Sequence, residues 1–398
     1  MIWTPLQGQA QSFKRHPNDH TGVKQKVYPT NYRLVIDVVS KNFHVVDVTE
    51  TPAGLEMLVS KVGPEKSRRQ FKRIADELIP RGYVPKLLPG KPYLRLIVFP
   101  TKIPSRRSKI VYLAMLIATI VTVTFSGYLH SKTAVDILSR IGITPRINTI
   151  SSALMFTASV FFALGTHEFG HMVATKIKGG DWEPPMFIPG GPPLGTFGAI
   201  IFGRRMPINR DELFDMGLSG PLTGLLASIP VCYFGIKTSI PLDPSLISAL
   251  QKEGARPLWW EQPIFTYMFK LAGVPEGKIV YLSPVALAGW VILTVTFFNL
   301  MPVSQLDGGH VCYAFFPDER IRRFIAATTV ITSFLFLRPE MAFLLLIFTL
   351  FVRHPPPLDE YSSLSKKRIY LGAILYIITL IVTFPLTPEL RRLLEELI

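Results

Sequence analysis

Between residues 31 and 100 apolar and polar positions alternate in short runs broken by turn residues; from residue 110 onward long apolar stretches take over. The first pattern predicts a compact α+β module. A weakly amphipathic helix over 32–40 leads into strands at 43–48 and 55–62, joined by the turn Thr51-Pro52-Ala53-Gly54. A helix over 65–78 sets Phe71, Ile74, Ala75 and Leu78 on one stripe, with Lys66, Arg68, Arg69, Lys72 and Arg73 elsewhere. Strands at 84–88 and 93–99 flank Pro89-Gly90-Lys91-Pro92 and complete an α-β-β-α-β-β order. Residues 1–30 are polar with no clear period, the pattern of a poorly ordered segment.

A bilayer core about 30 Å thick needs about 20 mainly apolar residues per helix. Runs of that kind cover 110–129, 150–175, 213–236, 280–301, 324–337, 341–352 and 369–386. The fifth and sixth are short and separated only by Arg338, Pro339 and Glu340, so they form a tight hairpin or stop short of spanning. The fold class is therefore a polytopic α-helical membrane protein of six or seven transmembrane helices with a small N-terminal α+β domain. No basic n-region followed by an early apolar run marks a cleavable signal peptide.

Charge then orients the picture. The net charge is +15, although 48% of the 398 residues are hydrophobic and 18% charged. Residues 1–109 hold 20 Lys and Arg against 8 Asp and Glu, so +12 of the total sits ahead of the first long apolar run. Arg106, Arg107 and Lys109 abut that run, which puts the basic module in the cytoplasm by the positive-inside rule. Alternation then brings Lys176, Lys178, Arg204, Arg205, Arg210, Arg320, Arg322, Arg323, Lys366, Lys367 and Arg368 to the same side, and makes the second and fourth spans run inward. The module's charge serves solubility and topology; contact with anionic headgroups is a second use, and nucleic-acid binding is not expected because no aromatic residues interleave the basic ones. Two cysteines, Cys232 and Cys312, exclude a disulfide scaffold and a four-cysteine zinc site within one chain.

The second span carries His167-Glu168-Phe169-Gly170-His171. Residues four apart share a helix face, so the two imidazoles of H-E-x-x-H can bind one metal while the adjacent glutamate reaches its water as general base. At about 1.5 Å per residue, His171 lies about 7 Å and His167 about 14 Å inside the cytoplasmic edge. Ionisable groups at that depth are costly unless coordinated or paired, so a functional site is the default reading. A catalytic zinc takes three protein ligands and keeps one position for water. The fourth span ends in Asn299-Leu300-Met301-Pro302-Val303-Ser304-Gln305-Leu306-Asp307-Gly308-Gly309-His310. Pro302 and the glycines predict that the helix breaks, which is tolerated at membrane depth only where backbone lines a cavity or is buried in protein. Asp307 reaches the same side as the histidines and is preferred as third ligand. His310 is the rival, placed nearer the interface. Asn299, two turns before Asp307, can donate its amide to a developing oxyanion.

On these two motifs, His167-Glu168-x-x-His171 and Asn299-x-x-Pro302-x-x-x-x-Asp307-Gly308, the sequence resembles the site-2 protease family of intramembrane zinc metalloproteases, in its archaeal, cyanobacterial and plastid-like subgroup without a PDZ domain. The resemblance implies one zinc per chain on His167, His171 and Asp307, Glu168 as general base and Asn299 as a substrate or oxyanion contact. It further implies regulated intramembrane proteolysis, the cleavage of transmembrane segments of other membrane-anchored proteins. Gly217-Leu218-Ser219-Gly220-Pro221-Leu222-Thr223-Gly224 resembles the family's central Gly-Pro motif, with Thr223-Gly224 where many members have Ala-Asn. Residues 187–200 resemble a loop of the same subgroup, and the stretch 196–202 reads as a strand whose free edge could hold an unwound substrate. The resulting organisation is a segment 1–30, a cytoplasmic α+β domain 31–100, a transmembrane metalloprotease core 110–310, and further helices with a C-terminal tail over 311–398, set in the cell membrane. Two other classes compete: a catalytically silent membrane protein that binds clients or anionic lipid through its basic head, and a histidine–carboxylate proton-coupled transporter. Oligomeric state is left open.

Overall fold

The computed structural model describes residues 30–390 apart from 53, 102–106, 146, 259, 338 and 389. The expectations for residues 1–29, Ala53, Arg106 and Arg338 lie outside the described residues.

The N-terminal region follows its apolar pattern. Helix α1 (Thr30–Ser40), strands β1 (Val45–Thr51) and β2 (Gly54–Val59), helix α2 (Pro64–Leu78) and strands β3 (Tyr83–Leu88) and β4 (Leu94–Pro100) succeed one another in the predicted order. The strands form one antiparallel sheet in the order β1-β2-β4-β3. Leu94, Leu96 and Val98 of β4 point to one face, where with Leu55, Met57 and Val59 of β2 they meet Phe71, Ile74 and Leu78 of α2 and Val35, Val38 and Val39 of α1. At Gly54 the backbone has φ 145°, and a Cβ there would lie 2.2 Å from the Val98 carbonyl oxygen, so only glycine fits the turn into β2.

This core does not close on residues 31–100 alone. Ile208 and Leu358, far along the chain, are buried in the same cluster. Leu87 of β3 donates to the Leu358 carbonyl at 2.8 Å and accepts from Glu360 N–H at 3.0 Å, so residues 358–360 extend the sheet in parallel beyond β3. The same short segment bonds on its other side to Pro207 and Ile208. Pro355-Pro356-Pro357 ahead of it gave no strand signal in the sequence, because proline cannot donate to a ladder.

Three helices are long and apolar enough to cross a membrane: α3 (Lys109–Arg140), α4 (Thr149–Ile177) and α5 (Arg210–Lys237). Ser108, Asn148 and Asn209 cap them through side-chain oxygens on backbone N–H groups. Between α4 and α5 lies a small antiparallel pair, β5 (Met186–Pro189) and β6 (Thr196–Ile200). After α5 come β7 (Ile240–Leu242), α6 (Ile247–Lys252), α7 (Pro263–Leu271) and β8 (Ile279–Tyr281), with β7 and β8 paired. Helix α8 (Pro284–Asn299) follows, then α9 (Asp307–Phe315), the α10 (Glu319–Phe336) and α11 (Pro339–Phe351) hairpin, and α12 (Ala373–Thr383). The predicted run 280–301 thus gives up its first residues to β8, and α8, α11 and the stretch 368–383 are shorter apolar helices.

Helix α5 is the centre of the bundle. Over half of its apolar window is buried, against about a fifth for α3 and α4, and it packs on α4, α8 and α9. The close fit comes from small residues, as expected where lipid supplies no hydrophobic drive between helices. A Cβ at Gly170 of α4 would stand 2.2 Å from Thr223 Oγ1 and 2.7 Å from the Ser219 carbonyl of α5.

Candidate metal centre

On α4 the buried positions Phe156, Val160, Ala163, His167, Gly170 and His171 recur at helical spacing, and this stripe faces α5 and α8. The first part of the stripe is apolar. At His167 and His171 it becomes two imidazoles, 4% and 5% exposed, whose Nε2 atoms lie 3.2 Å apart. Helix α8 ends at Asn299, the chain turns through 300–306, and α9 starts at Asp307. That turn needs its glycines: a Cβ at Gly308 would lie 1.9 Å from the Leu300 carbonyl oxygen, and one at Gly309 2.1 Å from that of Ser304. The sequence predicted the break but not that a helix resumes at once, because two glycines in a first turn are poor helix formers.

The restart delivers Asp307 to the histidines. Its Oδ2 lies 3.1 Å from His167 Nε2 and its Oδ1 3.4 Å from His171 Nε2. Among the described residues these three form the one group of His, Cys, Asp or Glu arranged to hold a metal ion. Their donor set suits zinc: two nitrogens and one carboxylate oxygen, leaving a position open. Metal bonds of about 2.0–2.1 Å in tetrahedral geometry separate ligand atoms by about 3.3–3.5 Å, close to the spacings observed. A second contact fixes the tautomer. His171 Nδ1 lies 2.7 Å from the Met216 carbonyl oxygen of α5, so Nδ1 carries the proton and Nε2 presents its lone pair to the site.

Helix α5 supplies a cradle rather than a ligand. A Cβ at Gly220 would stand 2.1 Å from His171 Nε2, one at Gly224 2.9 Å from His167 Nδ1, and one at Gly217 2.6 Å from the Asp307 carbonyl oxygen. The glycines of the Gly-Pro stretch therefore let the two imidazoles and the backbone of Asp307 lie against bare backbone of α5. Thr223, noted in the sequence as a departure, donates to the Thr166 carbonyl of α4 at 3.0 Å and so pins the helices together.

The remaining predicted residues fall as follows. Glu168 is buried beside the cluster and makes no hydrogen bond or ion pair among the described residues. Asn299 Nδ2 lies 3.5 Å from His167 Nε2. His310 was expected near the interface; it is 1% exposed and turned away from the cluster, its Nδ1 2.6 Å from His354 Nε2. The reason is the packing of α9 on α5, where a Cβ at Gly217 would meet His310 Cβ at 2.8 Å. His354 stacks on Tyr313, and burial pushes its imidazole down to about 3, so it is neutral at physiological pH. The Met216 carbonyl and His354 were not found by motif reading, since a backbone oxygen has no sequence signature and a lone histidine after a proline-free helix end suggests nothing.

Residues 155–337 match the family model of Peptidase family M50. Among curated proteins, the chain is similar to the probable chloroplastic zinc metalloproteases EGY2 and EGY1 of Arabidopsis thaliana. The first is 24% identical over 56% of this chain and 40% of its own length, the second 26% identical over 62% and 45%. The rice (Oryza sativa subsp. japonica) EGY1 is 26% identical over 62% of this chain and 43% of its own. The chain thus spans about two fifths of the length of the curated relatives it matches. No solved structure matches it. The matched stretch runs from within α4 to the end of α10, so the part of the chain that is similar to Peptidase family M50 holds the whole histidine–aspartate cluster and the helix that cradles it.

Proposed function

We propose that this chain is an intramembrane metalloendopeptidase that hydrolyses peptide bonds within or beside the transmembrane segments of membrane-anchored proteins, with one zinc on His167, His171 and Asp307. The observation that carries this reading is the buried meeting of two imidazoles and a carboxylate between apolar helices, with Glu168 beside them and no partner of its own among the described residues. When bound, zinc supplies Lewis acidity and brings the pKa of a coordinated water toward neutrality. Glu168 accepts the proton of the attacking water and returns it to the departing amide nitrogen as the peptide C–N bond breaks. Asn299 directs its amide N–H groups at the same space and hydrogen-bonds the oxyanion that develops on the scissile carbonyl. A helical substrate hides its carbonyls in hydrogen bonds, so it must unwind before attack; β6, paired on one side only among the described residues, offers an edge to the unwound strand.

The bundle lies in the cell membrane with six or seven spans and a cytoplasmic N-terminal domain, an arrangement supported by the basic residues at one end of the apolar runs. Lys66, Arg69 and Arg73, exposed along α2, face anionic headgroups in this orientation. Co-expression of the Glu168→Gln variant with a single-span substrate tests the chemistry. The variant retains zinc and loses cleavage; cleavage at the wild-type rate rejects Glu168 as the base.

A further inference from the structure

Beside His167 there is a cavity of about 190 Å³ that the hydrolytic chemistry does not use. Its walls come from three places. Helix α4 contributes Ala163 and Leu164 one turn before His167, α8 contributes Ile292 and Thr296, and β6 contributes Thr196 and Phe197. The walls are almost wholly apolar, with His167 at one end. Ala163 and Thr296 are fully buried, whereas Phe197 at the rim is 80% exposed. An interior void of this character is expected to be filled by helix packing, and small side chains at Ala163 and Thr296 are what leave it open.

We infer that this cavity is a specificity pocket which receives a large apolar side chain, of leucine, methionine or phenylalanine, from a residue flanking the substrate's scissile bond. The inference rests on the proposed proteolysis and adds to it the kind of residue selected. Three observations converge. The pocket shares His167 with the metal cluster, so a side chain inside it belongs to a residue held next to the reacting carbonyl. It also shares Thr196, Phe197 and Gly198 with β6, and a strand lying along that edge projects alternate side chains to one face. Its size decides the occupant: an apolar cavity of about 150 Å³ is known to take up benzene, so a space somewhat larger suits a branched or aromatic side chain and leaves alanine loose. The small residues and β-branched residues that favour unwinding would then sit elsewhere in the substrate.

Single-span peptides that exchange Ala, Leu, Phe and Trp at each position in turn, presented to the full chain in proteoliposomes, read the preference. The wild type is expected to favour Leu or Phe over Ala at one position flanking the cut by about 10-fold or more. Thr296→Leu fills the pocket and moves the preference toward Ala, while Ile292→Ala enlarges it and moves the preference toward Trp. Opposite shifts in rank order separate a reshaped pocket from a variant that merely folds less well, which loses rate on every peptide alike. A second readout does not need turnover: photo-leucine at the selected position, irradiated with the Glu168→Gln protein, crosslinks to residues of α8 and β6. An unchanged rank order in both variants, or crosslinks elsewhere, overturns the pocket even if the peptides are cut, as it would if lipid acyl chains fill the space. If the wild type cuts none of the peptides, photo-leucine is scanned through every position instead: crosslinks confined to α8 and β6 from one position keep the side-chain pocket while overturning the proteolysis, and their absence overturns both.

Discussion

The N-terminal domain and the centre of the helix bundle bury opposite things. In the domain the core is Leu, Val, Ile, Phe and Met, and charges such as Lys41, Asp37, Lys72 and Asp76 pair on the surface one helical turn apart. In the bundle large apolar side chains such as Ile110, Leu113, Phe125, Ile150 and Phe162 are exposed, while α5 buries Gly217, Gly220, Gly224, Ser228 and the charged turn Arg210-Asp211-Glu212. The difference follows from the solvent. Water drives apolar side chains inward in the first region; in the second, lipid does not penalise them outside, so the interior is left to small residues and to the polar groups that lipid would penalise. The buried group of His167, His171 and Asp307 lies in the second kind of interior, where these polar side chains are satisfied by one another rather than by lipid.

Where the regions meet, ion pairs add to the apolar packing of Ile208 and Leu358 and to the backbone bonds of residues 358–360. Arg368 grips Asp215 of α5 with two bonds of 2.6 Å and also reaches Asp211 at 2.9 Å, Arg68 of α2 reaches Asp211 at 3.0 Å, and Lys178 reaches Asp215 at 3.0 Å. This network anchors the start of α5, whose next turn supplies the Met216 carbonyl to His171.

The comparison breaks most sharply at glycine. Gly220→Ala puts a methyl group into the space of the His171 ring and is expected to lower zinc affinity by about 10–100-fold or more, read by competition with a chelator. Gly63→Ala in the N-terminal domain meets open space and leaves zinc affinity unchanged, with a stability cost below about 1 kcal/mol. Equal effects at the two sites would contradict the contrast. A smaller effect is expected at the junction: Arg368→Ala removes a charged, partly exposed group from two aspartates and costs about 1.5–3 kcal/mol, measured as earlier proteolytic release of the N-terminal domain. Arg368→Lys recovers only part, because a lysine cannot hold Asp215 at two points.

The smallest effect is a pH slope. Asp359, in the segment that extends the sheet, is buried with its Oδ1 accepting from the Tyr361 and Ser362 N–H groups, and burial raises its carboxyl above the usual carboxylate range. The folded protein therefore holds this proton more tightly than the unfolded chain. Stability is unaffected below the unfolded value near 3.8 and falls as pH rises from there to the raised folded value, beyond which the penalty is complete. Asp359→Asn keeps the oxygen that accepts both N–H groups and flattens this slope; unfolding curves between pH 4 and 7 that keep the wild-type slope would remove Asp359 as its source.

The same contrast explains what was readable in advance. Alternation along 43–48 and 93–99 revealed strands because water sorts the two faces of a sheet, and H-E-x-x-H pointed to two histidines side by side because a helix brings residues four apart together. Helix α9, the β7–β8 pair and the strand at 358–360 were hidden. The two strand pairings depend on partners distant in sequence, Tyr281 opposite Ile240 and Leu87 opposite Asp359, while α9 depends on a nearby tight turn in which the Leu300 and Ser304 carbonyls pack against bare glycines. The role of α5 was half visible. Its glycine spacing announced close packing, but only the fold reveals that what packs there is His171 and His167.

Zinc content of the purified full-length protein is the most direct measure of the central claim. Wild type and Glu168→Gln should each carry close to one zinc per chain, and His167→Ala, His171→Ala and Asp307→Ala should lose it while His310→Ala keeps it. A wild type without zinc, or an Asp307→Ala protein that binds zinc as tightly as wild type, would contradict the assignment of the buried cluster as the metal centre.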